Sequence, residues 1–208
     1  MRKILASLLF LFCIQVWAAE PVDIESSPVD AFIAELAAVD ALEGNFQQQL
    51  YDPEGEMLME SSGLFSLLRP GFFSWEIMSP DDQLIIANPE FVWHYDRDLE
   101  TVTRRPANAG EHMAPLQILG GDDTALREHF QVEGGRGEYI LTPINSDAGF
   151  QKLRITLGEN GPTAMEIDDN LQQKVVIRFS NTARPEALTA ADFSFSPPPE
   201  ADAFYYDE

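Results

Sequence analysis

Histidines, a lone cysteine and paired carboxylates are the side chains of this 208-residue chain that could shuttle protons, ligate a metal or attack a carbonyl. His94, His112 and His129 have no ligand-like spacing, and neither a His-Glu-x-x-His nor a Gly-x-Ser-x-Gly motif occurs. Asp81-Asp82, Asp122-Asp123 and Asp168-Asp169 sit among turn residues, where solvated carboxylates are the ordinary occupants. Asp168-Asp169-Asn170 lacks the spacing of a calcium loop. No catalytic residue, metal set or cofactor motif emerges, so the chain reads as a binder and not an enzyme. The residue with unusual chemistry is Arg69. It lies between two apolar runs, Gly63-Leu64-Phe65-Ser66-Leu67-Leu68 and Phe72-Phe73-Ser74-Trp75, across an Arg69-Pro70-Gly71 turn. Strand side chains alternate, so Phe65, Leu67, Arg69, Phe73, Trp75 and Ile77 can share one face. A guanidinium among aromatics is costly unless it finds acceptors. The alternative is that Arg69 stands at the strand end, in water, beside Pro70.

The elements that would position these residues follow from the rest of the chain. Met1-Arg2-Lys3, an apolar run from Ile4 to Val16 and the small-residue exit at Ala18 read as a secretory signal spanning residues 1–18. Phe12 before Cys13 stands where lipidation would need a small residue, so Cys13 leaves with the signal. Residues 19–208 then form a single domain without a disulfide. The whole chain carries −22, and losing Arg2 and Lys3 makes it more negative still. That charge disfavours nucleic acid and anionic membrane surfaces as partners.

Ser27-Pro28 opens a helix with apolar positions Val29, Phe32, Ile33 and Leu36, expected to end at Gly44. From Asn45 the pattern turns to strands punctuated by Asp-Pro-Glu-Gly, Asn-Pro-Glu and Gly-Glu-Asn-Gly turns. Pro115–Gly121 reads as one or two helical turns, and Asp122 could cap another short helix over Thr124–Phe130. Thr189–Ser196 is expected to give a turn and a short strand; for Phe204, Tyr205 and Tyr206 the sequence names no contact. Roughly ten strands and a few helices predict a mainly β, α+β fold, a strongly curved antiparallel sheet with helices on its concave side. A full barrel or a sandwich would leave the same pattern. Phenylalanines together with Met57, Met59, Met78, Met113 and Met165 suit an adaptable apolar cavity, and equally a plain β core.

The stretch "LLRPGFFSWEI", with "GNFQQQLYDPEG", "PDDQLIIANPEFVWHY", "APLQILGG", "YILTP" and "AADFSFSPPP", resembles the LolA family of outer-membrane lipoprotein carrier proteins in order and spacing. The resemblance implies an incomplete β-barrel closed by a helical lid, in a periplasmic chaperone that shelters the acyl chains of lipoproteins. It implies lid-locking by Arg69, the family's Arg-Pro arginine, through lid backbone carbonyls. It assigns Phe73 and Trp75 to the family's Phe-x-Trp; with Phe46, Phe65, Leu67, Ile77 and Trp93 they are expected to line the acyl-chain cavity. Lid residues are expected to be Phe32, Leu36, Leu116, Ile118 and Leu119. The implied partners are acylated lipoproteins, an inner-membrane ABC-type release complex (LolCDE) and an outer-membrane receptor (LolB), with the carrier itself a monomer. Carriage of another lipid, a glycolipid or fatty acid, is the alternative; a periplasmic lipid hydrolase is a more distant one.

Overall fold

The computed structural model describes residues 26–107, 117–121, 123–145 and 149–206. The expected signal segment, His112, Met113, Leu116 and Asp122 lie outside the described residues. Helix α1 spans Pro28–Ala37; the Ser27 hydroxyl accepts from the Asp30 amide at its N-terminus, and Pro28 occupies the first turn. The helix stops well before Gly44, which lies inside strand β1, Ala41–Tyr51. A Cβ at Gly44 would come within 2.9 Å of the Ser180 carbonyl oxygen and 3.0 Å of the Phe65 ring. The glycine permits close strand packing there and does not terminate the helix, which corrects the expected boundary.

Strands β2 (Met57–Leu68), β3 (Phe72–Ser79), β4 (Gln83–Ala87), β5 (Phe91–Asp96) and β6 (Thr101–Pro106) continue as an antiparallel meander. Two short helices follow, α2 (Gln117–Gly120) and α3 (Asp123–His129). A second meander consists of β7 (Phe130–Gly135), β8 (Glu138–Pro143), β9 (Phe150–Gly158), β10 (Gly161–Asp169) and β11 (Lys174–Ala183). The last of these pairs with β1, so the two meanders become one curved sheet of 12 strands, with β7 at one end. The other end is β12, Asp202–Tyr205, which pairs with β6 in parallel. That parallel edge departs from the expected all-antiparallel sheet: the chain reaches β6 by crossing the sheet face, not by a hairpin.

Of the turn and short strand expected over Thr189–Ser196, the turn is present as a 3-10 turn, Ala190–Phe193, and no strand follows it there. Asp192 accepts from both the amide and the hydroxyl of Thr189, closing a local ring of hydrogen bonds that competes with extended backbone. The core lies on the concave side. There the helices contribute Phe32, Ile33, Leu36, Ile118, Leu119 and Leu126 to one apolar cluster with the sheet. No helix among the described residues is long and apolar enough to cross a membrane.

Candidate functional site

The β2–β3 turn is where the sheet meets helices α2 and α3. Alternation places Phe65, Leu67, Phe73 and Trp75 on the concave face, all nearly inaccessible to solvent. Trp75 is the centre of an aromatic group. It stacks on Phe46 at 3.5 Å between ring centroids, lies 5.9 Å from Phe73, and stands nearly perpendicular to Phe179 at 6.2 Å. Ile77 packs against the same cluster and is half-buried. Ile118 and Leu119 join this wall from α2, and Phe32 and Leu36 enter the same cluster from α1, so the expected wall residues, Trp93 apart, and the expected lid residues that are described belong to one core.

Arg69 stands at the rim, with its side chain 8% exposed. Its Nη1 donates to the Leu119 carbonyl at 2.9 Å and its Nη2 to Asp123 Oδ1 at 3.2 Å. Leu119 sits in the last turn of α2, whose carbonyls have no intrahelical partner, and Asp123 opens α3. A parallel tie runs from the Gly71 amide to the Gly120 carbonyl at 2.5 Å. A side chain at Gly120 would put a Cβ 3.2 Å from the Phe72 carbonyl oxygen, so a residue with none lets α2 settle this close to β3. Burial pulls Arg69 below the ordinary guanidinium pKa, and the carboxylates of Asp123 and Asp40 offset part of that shift. The group remains a cation at any physiological pH. Arg69 is thus neither in open water nor on a strand; it occupies the turn after β2 and bridges sheet to helices.

Helix α1 is held from the other side. The Tyr139 hydroxyl of β8 donates to Glu35 Oε1 at 2.6 Å, and the Tyr139 ring packs 4.9 Å from Phe32. Asp30 and Arg127 pair across the α1–α3 contact. Between the end of α1, Leu42, Leu67, Leu119 and the β9–β10 hairpin there remains a pocket of about 160 Å³, with Glu35 and Glu159 at its edge.

Trp93 is the exception among the expected wall residues. Its cross-strand neighbour is Ile86, while Val92, one position earlier, faces the concave core opposite Ala87. Trp93 therefore points to the convex face. There Phe195 covers it at 5.4 Å, Tyr205 stands edge-on at 6.1 Å, and the Arg104 guanidinium lies 5.5 Å from its ring. The acyl-cavity assignment of Trp93 is corrected by this one-residue change of face. The methionines divide as well: Met165 is fully buried in the core, whereas Met57, Met59 and Met78 are exposed. His94 faces the concave side, half-buried beside Gln83 at 3.2 Å, and burial lowers its pKa, keeping the ring neutral near neutral pH.

The sequence alone does not single out Tyr139, Phe179 or Leu126, and Asp123, expected to be a solvated turn carboxylate, instead pairs with Arg69. The alternation of Tyr139 with Leu141, and of Ile177 with Phe179, was the signal that places the first two on the concave face. Among the described residues no group of three or more His, Cys, Asp or Glu is placed to hold a metal ion.

The sequence model of the outer membrane lipoprotein carrier protein LolA matches residues 37–196. An outer-membrane lipoprotein carrier protein of Pseudomonas paraeruginosa is 34% identical over 182 residues, covering 86% of this chain and 88% of that protein. Proteins of the same description from Halorhodospira halophila and Azotobacter vinelandii are 34% and 31% identical, the latter over 89% of this chain and 92% of its own length. A LolA superfamily protein from Nitrosomonas europaea shares the fold, with a TM-score of 0.51 at 12% identity over 80% of this chain and 97% of that one. An uncharacterized conserved protein from Thermus thermophilus does so with a TM-score of 0.51 at 13% identity, over 86% and 97%.

Proposed function

The chain belongs to the LolA family of outer membrane lipoprotein carrier proteins, and from that premise we propose how its lid and sheet carry acyl chains. It is a lipoprotein-carrier chaperone. The observation that carries the mechanism is that the lid's own side chains fill the concave face. Phe32, Ile118, Leu119 and Leu126 are at most 1% exposed, and the pocket between Leu36, Leu67 and Leu119 holds about 160 Å³. That is below the roughly 300–1,000 Å³ of pockets that enclose a drug-sized ligand, so several acyl chains need the lid to move. Each lid side chain is a stand-in for hydrocarbon.

Acyl burial is worth ~0.8 kcal/mol per methylene, so lipoproteins do not leave a membrane unaided at a useful rate. A carrier must offer comparable apolar surface and later surrender it. An empty open cavity would expose that surface to water; a lid that fills it keeps the empty protein closed. Cargo then competes with Phe32, Leu36, Ile118 and Leu119 for the wall built from Phe46, Phe65, Leu67, Phe73, Trp75 and Ile77. Arg69 biases this exchange: its bonds to Leu119 and Asp123 exist only while α2–α3 are down. It thereby favours the return to the closed state and the release of cargo.

The chain performs no covalent chemistry in this reading and needs no cofactor. It works in the periplasm after loss of residues 1–18, receives acylated lipoproteins from the inner-membrane LolCDE complex, and passes them to LolB at the outer membrane. Native mass spectrometry on protein purified from periplasm, beside an Arg69→Leu variant, tests it. The expected result is lipoprotein bound one-to-one and accumulating on Arg69→Leu, which accepts cargo but hands it on poorly. Efficient delivery by that variant to the outer-membrane receptor would sink the role of Arg69. Phospholipid or free fatty acid on both proteins, without lipoprotein, would move the cargo to another lipid.

A further inference from the structure

Tyr139 places a hydroxyl among hydrocarbon neighbours on the concave face. The residue is 0% exposed, and Leu141, Leu153 and Ile155 around it on the concave face are equally buried. Its hydroxyl is satisfied by one acceptor, Glu35, and that acceptor belongs to α1 and not to the sheet. When α1 lifts to admit cargo, Glu35 leaves with it, while Tyr139 stays fixed in β8. Burial beside a carboxylate raises the Tyr139 pKa, so the hydroxyl remains a protonated donor. A ligand of pure hydrocarbon would orphan that donor, and a buried unsatisfied polar group costs ~1–3 kcal/mol.

We infer that Tyr139 is a cargo-binding residue whose hydroxyl exchanges the Glu35 carboxylate for a carbonyl oxygen of the lipoprotein's acyl linkage. The inference rests on the carrier reading and names the part of the cargo that the cavity recognises: the ester or amide head of the chain, beyond its length. Glu35 and Leu36 also line the small pocket, on the α1 side of this bond. Glu35 acts in the empty protein as the resident mimic of that oxygen, as Phe32 acts for hydrocarbon. Closing and loading use the same donor.

Isothermal titration of the full chain tests this with two synthetic peptides of equal alkyl length, one carrying an S-diacylglyceryl cysteine and the other its dialkyl ether counterpart. Wild type is expected to bind the ester about fivefold more tightly than the ether, the size of one net hydrogen bond. Tyr139→Phe keeps the ring against Phe32 and is expected to bind both peptides equally. An ester-to-ether ratio unchanged by Tyr139→Phe would overturn the inference. Glu35→Ala leaves the cavity wall intact and removes only the mimic, so it should tighten both peptides together and keep the ratio; weaker binding of both by that variant would also overturn it. If wild type binds neither peptide, the carrier reading itself fails and takes this inference with it.

Discussion

The sheet presents an aromatic cluster on each of its two faces, and the two are covered in different ways. On the concave face Trp75 lies under helices that cover it with apolar side chains, tied to the sheet by Arg69, by the Gly71–Gly120 main-chain bond and by the Tyr139–Glu35 bond. On the convex face Trp93 lies under the C-terminal arm. The arm puts Phe193 against Phe72 at 5.6 Å and Phe195 against Trp93 and Tyr95, then joins the backbone ladder of β6 through β12. Arg104 is held between the Phe91 ring at 4.2 Å and the Tyr205 ring at 4.7 Å, fastening the arm's end by cation–π contact. A cover of apolar side chains can be replaced by acyl chains. One stitched by a strand's ladder of main-chain bonds and a caged guanidinium is harder to displace. In the proposed mechanism this difference puts exchange on the concave side and permanence on the convex side.

The largest test of that division is mutational. Trp75→Ala is expected to destabilise the fold by about 3–5 kcal/mol, the usual cost of truncating a fully buried tryptophan. Four aromatic partners would face the void. Trp93→Ala should cost clearly less, because its covering rings Phe195 and Tyr205 are themselves half-buried or exposed and can settle. Urea unfolding of both variants checks this; equal losses would mean that the convex cluster is as much a core as the concave one.

Next in size is removal of the arm's end. Truncation after Ser196 deletes β12 and the Tyr205–Arg104 contact but keeps Phe193 and Phe195. The expected loss is about 1–2 kcal/mol, a fall of roughly 2–8 °C in melting temperature for a chain this long. Hydrogen exchange should accelerate along β6 while α1, α2 and α3 keep their protection. Faster exchange in the helices as well would show that the two covers are coupled, and the comparison would break.

The sequence made the concave cluster legible and left the convex one hidden, for physical reasons. Phe65, Leu67, Phe73 and Trp75 alternate strictly on both sides of one turn, and a run of one parity is what a half-buried sheet face requires. In Phe91-Val92-Trp93 both parities are apolar, because both faces of β5 are covered, so alternation could not choose a side for Trp93. The cover on its far side comes from residues more than 90 positions away, beyond any local pattern. Ser27-Pro28 announces the start of α1 because caps are local chemistry, whereas Gly44 imitates a helix end because a glycine needed for strand packing looks the same in one dimension. Arg69 posed the right question in sequence, a cation among aromatics in need of acceptors. Asp123 and the Leu119 carbonyl, some 50 residues on, supplied the answer only in three dimensions.

The smallest expected effect concerns two exposed carboxylates, one fastening each cover. Asp30 at the start of α1 is lowered in pKa by the Ser27 hydroxyl first and then by Arg127. Asp192 in the arm's 3-10 turn is lowered first by the Thr189 amide and then by its hydroxyl. Both have folded pKa values below the unfolded one, so each stabilises its cover above pH ~4, the ordinary aspartate range, and that contribution fades as pH falls through the folded value. Acid alone therefore loosens both covers and cannot tell them apart. Salt at neutral pH can. The Asp30–Arg127 pair is nearly half exposed on both sides, open to screening, while Asp192 is held by uncharged donors. Rising ionic strength should quicken hydrogen exchange at the α1–α3 contact and leave the 189–193 turn unchanged. The movable cover would then be the one whose fastening answers to its ionic surroundings; an equal response in the turn would remove that distinction.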